Sequence, residues 1–303
     1  MNVTVFDFTG IYENESFDFY KKEGSRSLSL GDNEGIDSVY VDLKNISGTN
    51  CICDDYAYEE IKRRIAETKS ITAVTAEIKQ DEAGEEAATA GIKQIAAGKK
   101  AAKKSNIGIR FFDNGNYHYM SRILMDEISG NELFDLVVFD HHPDMKWTSY
   151  GEILSCGCWV LKALKDIAGL SKVYIIGADK KLMEEAYSDN PETEGRVFYY
   201  ENCEAFYKML EDTENIKTSR NVYISVDKDV LSGDELYTNW DQGEMTVKEL
   251  CDCLGVIKKH YRDNILAVDV CGECTMDDEK ALSPLGFEGS NRINKLILSA
   301  LQR

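Results

Sequence analysis

Several short runs in this chain are apolar at every position rather than at alternate ones. Leu136-Val-Val-Phe139 and Val173-Tyr-Ile-Ile176 are the clearest. A strand with one wet face alternates, whereas a strand covered on both faces does not, and such strands belong to parallel sheets flanked by helices. Further β-branched and aromatic runs fall at Val3–Phe8, Ser38–Leu43, Ile109–Phe112, Val197–Tyr200, Val222–Val226 and Ile265–Val268. Helical patterns separate several of them. Thr246-Val-Lys-Glu249 has the form of a capping box, and Val247, Leu250, Cys251, Leu254 and Ile257 then make one apolar stripe. Tyr58, Ile61 and Ile65 mark another helix opened by Asp54 or Asp55, and Trp159–Ala168 and Ile293–Leu301 look helical too. Strand and helix in alternation predict an α/β sandwich with right-handed crossovers.

Composition narrows the partners. The 303 residues carry a net charge of −19, which repels phosphate backbones and anionic membrane surfaces. Neither nucleic acid nor membrane is therefore an expected partner. No stretch approaches the ~20 apolar residues of a spanning helix, and the opening MNVTVFDFTG does not resemble a signal peptide. The nine cysteines are odd in number and scattered, which suits thiols in a reducing cytoplasm. A zinc ribbon would need two C-x-x-C knuckles, and only Cys271/Cys274 has that spacing. Residues 77–104, rich in Ala, Glu and Lys, read as a solvated surface helix. With three prolines and no linker-like segment, one domain is expected over 1–303.

The acids are placed unevenly. Four apolar strand candidates run into an aspartate: Asp113, Asp140, Asp227 and Asp269. Ligands of open α/β sheets sit beyond the carboxyl ends of the strands, and acids gathered there repel one another unless a cation lies among them. Two of the four histidines fall inside Asp140-His-His142-Pro-Asp144, and His118 follows the 109–112 strand. If the chain stays extended through Pro143, residues 140, 142 and 144 share a side. Asp227-Lys-Asp229 offers the same spacing on another strand. Four carboxylates and two imidazoles exceed what one zinc ion takes and suit two hard divalent ions such as manganese.

At these residues, roughly His118 to Cys274, the chain resembles the arginase–agmatinase (ureohydrolase) family. The resemblance implies a three-layer α/β/α sandwich with a mostly parallel sheet and a binuclear manganese centre. It also implies hydrolysis of a linear guanidino or amidino C–N bond, with a hydroxide bridging the two ions as nucleophile. Position by position, His118 resembles a ligand of the first ion, as does Asp144. His142 and Asp229 resemble ligands of the second, and Asp140 and Asp227 resemble the bridging carboxylates. Glu273, which follows Asp269 at one residue more than the family spacing, is the expected holder of a small cationic substrate. Family members are commonly trimers or hexamers, so a homo-oligomer is one expectation, although no residue fixes it.

The departures from that pattern are specific. The first motif, Gly115-Asn-Tyr-His118, lacks the usual following aspartate, and the third runs into Val230-Leu-Ser-Gly rather than Asp-Pro. His141 stands where a small residue is usual and is expected to pack opposite His142. Ser155-Cys-Gly-Cys158 occupies the region where arginases carry a proton-shuttling histidine, leaving Cys156 or Cys158 as a donor. The loop 237–243 is expected to cover the site, with Trp240 packing. Two other readings stay open. One is a mononuclear zinc deacylase, which would not need His118, Asp144 and Asp229. The other is a metal-dependent binding protein without turnover.

Overall fold

Each apolar run becomes a strand. The computed structural model describes residues 2–15, 28–29, 35–68, 107–127, 132–147, 151–213 and 220–302. The strands are β1 (Asn2–Asp7), β2 (Leu28–Ser29), β3 (Gly35–Asp42), β4 (Ile52–Cys53), β5 (Gly108–Phe111) and β6 (Phe134–Phe139). They continue with β7 (Leu154–Ser155), β8 (Leu170–Ile176), β9 (Val197–Tyr200), β10 (Asn221–Asp227) and β11 (Ile265–Cys271). Among the described residues nine strands form one sheet in the order β2-β3-β1-β5-β11-β10-β6-β8-β9. Only the short β2 runs antiparallel. β4 and β7 make a separate two-stranded antiparallel ribbon.

Side-chain alternation sends each central strand into two cores. On β6, Leu136 and Val138 face one core while Val137 and Phe139 face the other, and all are buried. One core is closed by α2 (55–68), α3 (Met120–Asp126), α4 (Trp159–Asp166) and α5 (Lys180–Asp189), through Ile61, Ile123, Trp159 and Met183. The other is closed by α6 (Cys203–Thr213), α7 (Val247–Tyr261) and α8 (Phe287–Gln302), through Phe206, Leu254 and Ile297. The result is a three-layer α/β/α sandwich around a mostly parallel sheet, as the apolar runs predict.

Local signals behave as chemistry dictates. Asp54 Oδ1 accepts the Ala57 amide at 2.8 Å and opens α2. The Thr246 hydroxyl accepts the Glu249 amide at 3.2 Å, and the Glu249 carboxylate accepts the Thr246 amide at 2.8 Å, completing the capping box. Helix α8 begins well before the expected Ile293, because its first turns are polar and carry no stripe. Strand β11 runs past Val268 to Cys271, since Asp269 is a buried strand residue and not a strand end. Residues 77–104 lie outside the described residues. No described helix is long and apolar enough to cross a membrane.

Candidate metal centre

Three central strands, β5, β6 and β10, end at one place on the carboxyl edge of the sheet, and their exits bring His118, Asp140, His142, Asp144, Asp227 and Asp229 together. The His118 ring Nδ1 lies 3.1 Å from Asp140 Oδ2, 3.1 Å from Asp144 Oδ2 and 3.4 Å from Asp227 Oδ2. His142 Nδ1 lies 2.9 Å from Asp229 Oδ2 and 3.6 Å from Asp140 Oδ1. Ligand atoms of His118, Asp140 and Asp144 form one tight group, and those of Asp140, His142 and Asp229 a second, with Asp140 common to both.

The backbone that achieves this is not the extended one expected. β6 stops at Phe139, and Asp144 adopts left-handed φ of 49°. That turn carries its carboxylate back beside His118, where the Trp159 indole N–H donates to it at 2.6 Å. In the 227–229 segment Asp227 Oδ1 accepts the Asp229 amide at 3.0 Å, a side-chain turn that sets the two carboxylates side by side. His142 N–H donates to Asp140 Oδ1 at 2.6 Å, and His141 N–H to Asp229 Oδ1 at 3.0 Å. The ligand segments thus hold one another through backbone amides.

Behind the ring, His118 Nε2 lies 2.9 Å from Ser225 Oγ, which lies 2.9 Å from Ser121 Oγ. This small network aims Nδ1 at the carboxylates, as outer partners of metal-binding histidines do. His118 Nδ1 and Asp140 Oδ2 are both buried and neither has a hydrogen-bond partner. Buried polar atoms are rarely left so, and a cation between them would satisfy both. The residues present therefore fit a metal.

Electrostatics agree. Burial and then Asp229 push Asp227 up to about 7, and burial and then Asp140 push Asp229 up to about 6. Burial opposes protonation of His142, yet Asp140 and Asp229 raise it to about 11. Burial likewise opposes charge on His118, but the adjacent Asp140, Asp144 and Asp227 carboxylates raise it well above its ordinary value. Without a cation the cluster keeps protons that a cation must displace.

The cluster floors a cavity of about 310 Å³ walled by Pro143, Met145, Leu182 and Ala186, with Lys146, Glu185 and Asp189 also lining it. Trp240 is part of that wall rather than a packed residue. It is 39% exposed, its indole N–H donates to Asn116 Oδ1 at 2.9 Å, and its ring meets His142 edge-on at 5.7 Å. Gly115 is what lets it approach, since a Cβ there would sit 2.7 Å from Trp240 Cδ1 and 3.0 Å from Asp227 Oδ2. Gly115→Ala is accordingly expected to weaken the affinity for a divalent metal by roughly 10–100-fold, the scale seen when a ligand's support is disturbed. Metal titration checks this.

Other expectations need correction. Glu273 does not face the cavity. It is fully buried and its carboxylate is bound to the Lys228 ammonium and, at 3.0 Å, to the Asn294 amide. Three residues after Asp269 stands Gly272, at φ 89°, so close to Asp227 and Lys228 that no side chain fits. Asp113 is also elsewhere, accepting the Phe8 and Thr9 amides at 3.0 and 2.9 Å. Asp269 accepts from the Tyr223 hydroxyl, with Arg110 at 3.7 Å. Cys158 Sγ lies 3.2 Å from the Ser155 amide in a helix-start turn, whereas Cys156 lines the cavity. His141 meets the His142 ring edge-on at 5.2 Å and lines a second cavity of about 470 Å³ beside Asp179 and Lys180.

Two neighbours gave no sequence signal. Cys271 Sγ donates to Asp227 Oδ2 at 3.3 Å and joins His118 and Asp227 in a third group of candidate ligand atoms. Lys228 looks like a spacer within Asp-Lys-Asp but is fully buried in the turn that follows β10.

No family profile matches the sequence, and no curated protein does. Solved structures do. Proclavaminate amidino hydrolase from Streptomyces clavuligerus matches with a TM-score of 0.59 at 13% identity, over 99% of this chain and 91% of that one. The agmatine ureohydrolase of Thermoplasma volcanium matches with 0.60 at 12%, over 99% and 89%. A Trypanosoma cruzi formiminoglutamase, solved with Mn2+, matches with 0.56 at 12%, over 99% and 91%. The architecture of this chain is therefore that of the arginase-like ureohydrolase fold.

Proposed function

We propose that this protein hydrolyses a C–N bond of a small linear guanidino or amidino compound, using two divalent ions, manganese by preference. The observation that carries the reading is the pair of ligand groups sharing Asp140 at the carboxyl edge of an arginase-like sheet. His118 and Asp144 would hold one ion and His142 and Asp229 the other, with Asp140 and Asp227 common to both. When bound, such a pair supplies Lewis acidity and lowers the pKa of a water held between the ions. Hard carboxylate oxygens favour manganese over softer ions.

The chain's own residues supply the rest. Ser225 orients His118, and the 141 and 142 amides orient Asp229 and Asp140. Glu185 and Asp189 line the cavity, and with the net charge of −19 they favour a cationic substrate. With Glu273 sequestered, recognition of a flat cation would fall to Trp240 and these acids.

The test is direct. Protein stripped with a chelator and reloaded with manganese should hold about two ions per chain and release urea or an amine from some member of a guanidine and amidine panel. One observation favours a single zinc ion, though with His118, which the expected zinc deacylase would not need: the Cys271 thiol beside His118 and Asp227 is a soft donor. Asp229→Ala separates the two, since a single-ion enzyme keeps its stoichiometry and activity while a two-ion enzyme loses both.

Binding should also depend on pH. His118 and His142 must shed protons, and Asp227 and Asp229 must be ionised, before a cation enters. Protons are released on binding, so affinity should rise with pH most steeply below about 6 to 7, where Asp227 and Asp229 are protonated, and continue to rise towards about 11, where His142 loses its proton, on the order of tenfold per unit for each proton displaced. Calorimetry in buffers of different ionisation enthalpy measures that release, and a buffer-independent heat would contradict it.

A further inference from the structure

The ribbon of β4 and β7 lies beside the cavity, and Cys51, just before β4, and Cys156, just after β7, flank it. Its register pairs Ile52 with Ser155 and Cys53 with Leu154, which sets Cys51 directly opposite Cys156. The Cys156 amide donates to the Cys51 carbonyl at 3.0 Å. Both side chains are half-buried and so reachable, whereas Cys53 and Cys158 are buried. Cys51 and Cys156 are side-chain hydrogen-bonding partners, so their sulfurs are neighbours and a disulfide needs only a small adjustment. Among the described residues these four thiols do not gather into one ligand cluster, which argues for thiol chemistry and not for a structural metal.

The pair also joins two walls of the cavity. Cys156 and Gly157 line it directly. On the other side Asn50, adjacent to Cys51, accepts from the Asn116 amide at 2.8 Å, and Asn116 accepts from Trp240 at 2.9 Å. Cys51 itself is held at left-handed φ of 61°, which is uncommon for a residue with a Cβ. The mechanism proposed above uses neither thiol.

We propose that Cys51 and Cys156 form a reactive dithiol site for hydroperoxides, with Cys51 as the attacking sulfur and Cys156 as the resolving one. The Cys51 thiolate attacks the terminal peroxide oxygen. The O–O bond breaks, and hydroxide leaves and is protonated to water, giving a sulfenic acid. The Cys156 thiol then loses its proton as its sulfur attacks that of Cys51. The S–S bond forms, the S–O bond breaks, and the oxygen departs as a second water. Two thiols and one hydrogen peroxide become one disulfide and two waters, with each sulfur giving up one electron. The bond would tie the Asn116–Trp240 wall to the Cys156–Gly157 wall. The state of the thiols supports the order of events. The hydrogen bond from Cys156 lowers Cys51 to about 7 against the effect of burial, while the same pairing, burial and the Asp144 charge raise Cys156.

Differential alkylation with peptide mass spectrometry tests this on the full chain. Cys251, half-buried on α7, is an internal reference. At neutral pH Cys51, its thiol lowered to about 7, should alkylate about tenfold faster than Cys251. Hydrogen peroxide should link the Cys51 and Cys156 peptides, and a reductant should separate them. In Cys156→Ser, Cys51 should stop at a sulfenic acid that dimedone traps. In Cys51→Ser, Cys156 should stay reduced. Equal alkylation of Cys51 and Cys251, or peroxide-treated wild-type protein with both thiols still free, overturns the proposal. Both readouts are made on wild-type protein and need no hydrolytic activity, so the outcome is independent of the hydrolase reading.

Discussion

Replacing Asp140 by alanine should remove both ions at once. Its two oxygens face different histidines, 3.1 Å from His118 Nδ1 and 3.6 Å from His142 Nδ1, and it belongs to both ligand groups. Disturbing an outer partner of a metal ligand costs about 10–100-fold in affinity, so losing a shared ligand should cost more than ~100-fold at each position. The readout need not be catalytic. Manganese at 100 times its Kd should stabilise wild-type protein by ~2.7 kcal/mol, and the variant should show no such gain. Full metal content in Asp140→Ala would falsify the two-ion assignment, because Asp140 is the carboxylate that joins the His118 group to the His142 group.

The second large effect is expected at Lys228. Its ammonium is fully buried, bound to Glu273 and, at 3.0 Å, to Asn294 Oδ1. Asn294 donates in turn to Glu273 at 3.0 Å. Burial pushes Glu273 up, but the Lys228 charge together with hydrogen bonds from Glu15, Lys228 and Asn294 holds the carboxylate below its usual range. Nearby Glu15 is buried, and burial and then Glu273 raise it well above the carboxylate range, which keeps it neutral and able to donate to the Glu273 carboxylate. Lys228→Met leaves Glu273 charged and unpaired, which should cost about 3–5 kcal/mol. Adding Glu273→Gln removes the stranded charge and should recover more than half of that loss. Chemical denaturation of both variants measures it. A single variant within about 1 kcal/mol of wild type would show that the pair does not lock this region.

The two predictions mark what the sequence could and could not convey. Strands buried on both faces must be apolar throughout, so β6, β8 and β10 are written openly in LVVF, VYII and VYISV. Helix starts are legible for the same local reason, as at Asp54 and Thr246. Convergence of residues 118, 140–144 and 227–229 could be anticipated because acids at several strand ends demand a common cation. The pairing of Lys228 with Glu273 could not. It joins β10 to the residue after a left-handed glycine, and one-dimensional spacing says nothing about which face a loop presents. The same blindness made Asp113 and Asp269 resemble site residues, although one accepts amides from the turn after β1 and the other meets a tyrosine inside the sheet. The route by which Asp144 arrives was also hidden, since a left-handed aspartate leaves no compositional trace.

The order β5-β11-β10-β6 has a consequence for assembly. The segments that follow β5, β6 and β10 are remote in the chain and adjacent only after the central strands have registered. A nascent chain that has not yet emerged through Asp229 lacks the carboxylates of 227 and 229, and a partly paired sheet has only fragments of the site. Ion capture thus comes late, as a seal on a completed interior rather than a seed for it.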